Sequence, residues 1–107
     1  MATVAQTTLR LHGDRAELLR RFEEYDTNNP HVWRAFERLA LWAYNNGIRK
    51  IGGWYIIGYI RWRIVTRTKS KDGFKINNDY VACYTRKWAR AYPDKKDLFT
   101  YRETTRF

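Results

Sequence analysis

Few residues of this chain are of the kinds that build metal sites or disulfides. The 107 residues include one cysteine, Cys83, and two histidines, His12 and His31, which are far apart in sequence. A disulfide needs two cysteines, and a His/Cys metal site needs several such ligands close together. The sequence therefore predicts no intrachain disulfide, no metal and no cofactor, and a single cysteine suits a reducing compartment.

Long apolar stretches are also missing. The longest run, Gly52 to Ile60, is about half the length that a membrane-spanning helix requires, and it contains glycines. The segment from Met1 to Leu11 lacks the basic start and the apolar stretch of a signal peptide. We therefore expect no membrane segment and a cytoplasmic location.

Patterns of catalytic residues are absent as well. No nucleophile with a neighbouring base can be identified, and the glycines match neither nucleotide-binding fingerprint. The acids of Asp94-Lys95-Lys96-Asp97 follow Pro93 and are typical of a charged turn rather than of a magnesium site. We therefore expect a protein that binds and is not an enzyme.

The charge of the chain is distributed unevenly. From Met1 to Gly47 six basic residues oppose six acidic ones, whereas from Ile48 onward 15 Lys or Arg face five acids. The second part also holds twelve of the 18 aromatic residues. Basic side chains interleaved with aromatic ones suit phosphates and unstacked bases. The pattern favours binding of a polyanion, with nucleic acid preferred. The alternative is that these cations only solvate an exposed surface while the aromatic residues form the core.

Hydrophobic periodicity and capping signals predict three helices. Asp14 with Glu17 forms a capping box that predicts a first helix, which leaves residues 1–12 as an N-terminal arm or a short edge strand. Asn29-Pro30 predicts the start of a second helix, which ends near Asn46-Gly47. A further helix is expected from Asp79 to Tyr92, before Pro93.

The segment from Gly52 to Thr68 fits both a helix and a strand, because it combines β-branched and aromatic residues with isoleucines at helical spacing. We predict a helix over 53–62 and a strand over 63–68. The turn dipeptide Asp72-Gly73 and a second strand over 74–76 would complete a basic β-hairpin.

The whole chain is thus predicted to be one domain, mainly α within the α+β class. It would be compact, with three to four helices, a short basic β-hairpin between the last two main helices, and a helix-turn-helix-like arrangement. The tail, residues 94–107, is expected to pack on the core through Leu98 and Phe99.

Ten residues are candidates for contacts with nucleic acid. Cations of the hairpin would contact phosphates, and the last helix would present basic side chains beside its N-terminal amides. The amide of Asn78 could pair with adenine, although a capping role is preferred for it. The candidates are Arg61, Arg63, Arg67, Lys69, Lys71, Lys75, Asn78, Arg86, Lys87 and Arg90.

Several short strings give the chain a family resemblance. They are Asn29-Pro30-His31-Val32 leading to Phe36, Ile60-Arg61-Trp62, Phe74-Lys75-Ile76-Asn77-Asn78, and Tyr84 with Arg86. From about Phe22 to Arg102 the chain resembles a family of small uncharacterised proteins of phages and prophages. The resemblance implies a small, mainly helical protein acting in the cytoplasm of a bacterial host, and it carries over no site residues.

Three functions stay open at this point. The preferred one is a non-catalytic nucleic-acid-binding protein, with DNA favoured over RNA. The second is a phage-encoded inhibitor of a bacterial defence system, anti-CRISPR-like, that binds a host protein or nucleoprotein. The third is an oligomeric virion component. A homodimer is compatible with each of them.

Overall fold

The computed structural model describes the backbone of residues 4–68 and 76–99, and the side chains of residues 14–67 and 76–99. This part of the chain is helical and contains no strand. The elements are α1 (Val4–Asn28), α2 (Pro30–Asn45), α3 (Gly53–Thr68), α4 (Tyr80–Ala91) and a short 3₁₀ helix (Pro93–Leu98). A mainly helical fold is thus confirmed. The predicted α+β, helix-turn-helix-like architecture with a β-hairpin is wrong.

The segment predicted as the first strand of the hairpin is the second half of α3. Ile60 is buried and Ile64 packs against the core, as residues four apart on one helical face do. Thr66, which an alternating strand would place on the same side as Ile64, is instead exposed. Of the second predicted strand, only Ile76 is among the described residues, and it lies in an irregular segment. The turn and the rest of that strand, residues 69–75, lie outside them.

Helix α1 begins at Val4, ten residues before the predicted capping box. Residues 4–12 are therefore helical and are neither an arm nor an edge strand. The Glu17 carboxylate does not cap a helix start; it accepts hydrogen bonds from Arg20 at 2.8 Å and Arg21 at 3.0 Å. The box is thus a set of exposed ion pairs within a longer helix.

Helices α2 and α4 lie where the sequence predicts them. Helix α2 begins at Pro30 and is followed by Gly47, whose φ of 90° is the left-handed conformation that often ends a helix. The side chain of Asn29 does not cap α2. Its Nδ2 donates to the Tyr25 carbonyl at 2.9 Å and so closes the end of α1.

Aromatic rings from α1, α2, α4 and the C-terminal segment meet in one core. The ring of Tyr84 on α4 contacts Phe22 of α1 edge-on at 4.8 Å between centroids, and it stacks on Phe36 of α2 at 5.6 Å. Phe99 lies 5.3 Å from Phe36, and Ile57 of α3 is fully buried in the same cluster. Rings of this size supply a large buried area to a short chain.

Hydrogen bonds attach the segment after α4 to the rest of the fold. Trp88 Nε1 donates to the Lys95 carbonyl at 3.0 Å, and the Ile51 amide donates to the Leu98 carbonyl at 2.8 Å. Leu98 and Phe99 are buried. The linker between α2 and α3 is therefore fixed against the C-terminal segment. This contact helps to set the orientation of α3. Residues 100–107 of the predicted tail lie outside the described part.

Two features are absent from the described residues. No helix there has the length and apolar character needed to cross a bilayer. No three His, Cys, Asp or Glu side chains there are close enough to hold a metal ion.

Candidate nucleic-acid interface

Two of the predicted contact residues are bonded to each other. Arg61 Nη2 donates to the carbonyl of Ile76 and, at 2.6 Å, to Asn78 Oδ1. Arg61 is half-buried, and its guanidinium joins α3 to the turn that leads into α4. Asn78 therefore neither caps α4 nor offers a free amide oxygen to a base. Both side chains hold the fold together.

A third predicted residue, Lys87, is also engaged. Its Nζ forms an ion pair with Asp26 of α1 and lies 4.6 Å from the centroid of the Trp33 ring on α2. The ammonium group thus connects three helices, and a half-buried ion pair of this kind would be broken by a phosphate. Lys87 is a structural residue.

The start of α4 is a poor site for an anion. A cavity of about 260 Å³ beside it is lined by the carboxylates of Asp14, Glu17 and Asp79 and by the guanidinium groups of Arg15 and Arg21. The carboxylates outnumber the guanidinium groups, and Arg21 is paired with Glu17, so the cavity adds no net positive charge to the field of the helix N-terminus. Further along α4, Arg86 is half-buried and Arg90 is exposed, but no exposed large aromatic residue accompanies them on this helix. Helix α4 therefore offers charge without a surface for bases.

The remaining described candidates, Arg63 and Arg67, lie on the last two turns of α3. The Arg63 guanidinium lies 5.6 Å from the Tyr59 ring centroid, and its Nη1 donates to the Tyr59 hydroxyl at 3.1 Å. Arg67 is exposed one turn further on. The other three candidates, Lys69, Lys71 and Lys75, lie outside the described residues.

A basic cavity of about 190 Å³ opens between α2 and α3 beside Arg63. Its polar walls are Arg63 on one side and His31 and Arg38 on the other, and none of its described lining residues is acidic. Sequence reasoning missed His31 and Arg38 because the first half of the chain is neutral in sum. Their spacing of seven residues, two helical turns, was the available signal that they share one face of α2.

An apolar cavity of about 430 Å³ continues from the basic one, because Tyr59 and Leu39 line both. Its outer walls are Trp42 of α2 and Tyr55 of α3. We call the two cavities together the α2–α3 groove. The exposed fractions of the aromatic residues that line it are 62% for Trp42, 75% for Tyr55 and 42% for Tyr59. Trp62 lines neither cavity, but its ring centroid lies 6.4 Å from that of Tyr59, and it is 63% exposed. Large aromatic residues exposed in a group mark a binding surface.

The positive charge of the groove is not neutralised locally. Among the described residues, Arg38 and Arg67 form no ion pair. Glu37, the acid on α2, points to the other side of the helix, where it accepts a hydrogen bond from the Tyr92 hydroxyl at 2.8 Å. The groove therefore combines unpaired cations with exposed rings.

Comparison with known protein families, with curated proteins and with solved structures finds no match to this chain. The resemblance to phage and prophage proteins stays a prediction from the residues quoted for it. The functional proposal therefore rests on the chemistry of the α2–α3 groove.

Proposed function

We propose that this chain is a non-catalytic nucleic-acid-binding protein and that the α2–α3 groove is its binding surface. The observation that carries the proposal is that Arg38 and Arg63 line the groove beside exposed aromatic rings, with no carboxylate among the described lining residues. Exposed Arg67 lies one turn beyond Arg63 on α3 and extends this positive charge. Arg61, Asn78 and Lys87 are not part of this surface, because each bonds within the fold.

Phosphate contacts explain why unpaired arginines would be placed there. Each phosphate that a cation neutralises releases a counterion, so affinity falls with salt by about one power of the concentration per contact. Lys69, Lys71 and Lys75, which lie outside the described residues, add to the net positive charge of the chain, and the long range of such a charge speeds encounter with a polyanion.

The first test replaces Arg38 of the groove and Arg67 beyond its end on α3, neither of which forms an ion pair with a described residue, in the double variant Arg38→Gln/Arg67→Gln. We expect about tenfold weaker binding of labelled DNA at about 0.1 M salt, and a salt slope smaller by about two. Fluorescence anisotropy across a salt series, with DNA and RNA in parallel, measures both quantities and shows which nucleic acid is preferred.

The matched control removes the same charge from α4, in Arg86→Gln/Arg90→Gln. It should bind nearly as well as the wild-type protein. If the control lost more affinity than the groove variant, the ligand would lie on α4 and the site assignment would be wrong. Wild-type protein that binds neither DNA nor RNA near physiological salt would contradict the function itself.

A second candidate function is the anti-CRISPR-like inhibitor that binds a host protein or nucleoprotein. The apolar half of the groove favours it, because exposed Trp42 and Tyr55 flank a cavity of about 430 Å³, and Trp, Tyr and Arg dominate protein–protein hot spots. A protein partner anchored there would survive nuclease treatment in a pull-down from bacterial lysate and would dissociate far less steeply with salt.

A further inference from the structure

We infer that the α2–α3 groove selects single-stranded nucleic acid, whose bases stack on Tyr55, Tyr59 and Trp62 while its phosphates contact the arginines. This inference rests on the proposed function and names the ligand class of the same site.

The three rings share one side of α3. Tyr55, Tyr59 and Trp62 are separated by four and three residues, which places them above one another on the helix. The ring centroids of Tyr59 and Trp62 are 6.4 Å apart, and their planes differ by 31°. Two rings that hold one base between them are parallel and about 6.8 Å apart, so this pair must separate slightly and rotate to admit a base, whereas either exposed face can stack on a base without that change.

These rings do not serve the core. Ile56, Ile57 and Ile60 of the same helix are buried, whereas Tyr55 and Trp62 are more than half exposed. A base inside a duplex is already stacked on both faces, so it cannot offer a face to an exposed ring. An unpaired base can, and every base has such a face. The row of rings is therefore suited to single strands of many sequences.

The arginines would contact the backbone of such a strand. Arg63 is beside Tyr59 and lines the same cavity as Arg38 of α2, and Arg67 follows Arg63 one turn later on α3. From Tyr55 to Arg67 the helix rises by about 18 Å, the length of about five stacked nucleotides. A strand lying in the groove thus meets rings toward one end and cations toward the other, within a short footprint.

Charge complementarity favours this ligand over an apolar peptide. The rings alone would suit either, but cations without acidic partners beside them suit a chain that carries one negative charge per nucleotide. The combination of stacking residues and a basic path is the one that single-strand-binding proteins use.

The first part of the test compares a labelled single strand of about 20 nucleotides with the same strand annealed to its complement, for DNA and for RNA. We expect the single strand to bind at least about tenfold more tightly at about 0.1 M salt. We also expect it to quench tryptophan fluorescence, because Trp62 is covered by a base.

The second part replaces two of the rings. Tyr55→Leu/Trp62→Leu keeps apolar side chains but removes the aromatic faces, and we expect about tenfold weaker single-strand binding with an unchanged salt slope. Tyr55→Phe/Trp62→Phe keeps the faces and should retain most of the affinity. Trp54→Leu is the matched control, since Trp54 is 56% exposed but lies about 100° around the helix from Tyr55.

The outcomes separate the two proposals. Equal binding of single strand and duplex, or an undiminished affinity of the leucine variant, would overturn single-strand selection and leave nucleic-acid binding standing. Binding of no nucleic acid would overturn both. The three variants should unfold at nearly the wild-type temperature, because each changed side chain is exposed; if the leucine variant did unfold, loss of affinity in the phenylalanine variant would itself overturn the inference.

Discussion

At the scale of single residues, the two glycines of α3 have opposite roles. A Cβ at Gly58 would meet no atom within 4 Å, whereas a Cβ at Gly53 would lie 2.7 Å from Thr85 Cγ2 and 3.0 Å from Val81 Cγ1. Alanine is the better helix former, so Gly58→Ala should raise the free energy of unfolding by about 0.5–1 kcal/mol. Gly53→Ala should lower it by about 1–3 kcal/mol, because α3 and α4 must separate to admit the methyl group.

Urea denaturation of both variants at neutral pH measures these changes. A Gly53→Ala variant as stable as the wild-type protein would contradict the close approach of α3 to α4 at Gly53, and a destabilised Gly58→Ala variant would contradict the open space at Gly58.

Single residues are also where sequence reasoning reached its limit for the binding site. The sequence shows that Arg61, Asn78 and Lys87 are polar, but not which acceptors the fold brings to them. Lys87 meets Asp26 from 61 positions away, and Arg61 meets Asn78 from 17. Arg63 and Arg67 form no ion pair with a described residue, so their charge is free to act on the proposed surface.

At the scale of elements, Arg61 connects α3 to the start of α4. Arg61→Gln should lower the free energy of unfolding by about 1–3 kcal/mol, since the Ile76 carbonyl and Asn78 lose a charged donor. Arg67→Gln removes the same charge from an exposed site and should change stability by less than about 0.5 kcal/mol.

Nucleic-acid affinity should rank the two variants the other way: Arg67→Gln, the more stable variant, should bind nucleic acid more weakly than Arg61→Gln. Chemical denaturation and anisotropy on the same preparations give the comparison. A more stable Arg61→Gln variant would contradict the structural role of the arginine.

Helices α2 and α4 were predictable because local chemistry and tertiary packing agree there. Pro30 fits only the first turn of a helix, and Pro93 ends one. In α3 they disagree: the β-branched and aromatic residues favour a strand, and burial of Ile57 and Ile60 between neighbouring helices favours a helix. Packing decides such cases, and the sequence alone does not contain it. Residues 2–12 lack a clear apolar period, so the sequence placed the start of α1 too late, although Thr3 and Gln6 have the capping-box spacing for a helix that begins at Val4.

At the scale of the whole molecule, a buried thiol and buried tyrosine hydroxyls determine how stability changes at alkaline pH. Burial raises the pKa of the Cys83 thiol from 9.0 to about 11, and it also raises the pKa values of the Tyr25, Tyr80 and Tyr84 hydroxyls. The folded protein therefore retains protons that the unfolded chain releases. The stability from these neutral groups is complete below about pH 9 and is lost as pH rises toward 11.

Urea unfolding at several pH values between about 7 and 11 measures this loss. Cys83→Ala should show a shallower decline than the wild-type protein, whatever its absolute stability. A stability that rises over this range would contradict the burial of these groups.

The charge asymmetry of the sequence does not map onto halves of the molecule. The candidate surface was predicted from the basic second part of the chain, yet α2, from the neutral first part, supplies Arg38 and Trp42 to one wall of the groove. Helices adjacent in the fold share a surface whatever the net charge of their sequence regions. This is why the sequence identified only part of the residues on the proposed surface, and the nature of the ligand stays a prediction.

The exposed rings beside the groove also have a consequence for how the protein behaves as a colloid. A net charge of +10 keeps copies of the chain apart at low ionic strength, while Trp42, Tyr55 and Trp62 attract apolar surface at short range. Added salt screens the repulsion and leaves the attraction intact. The ligand-free protein should therefore be most soluble at low ionic strength. A bound strand that covers the rings would reduce its self-association.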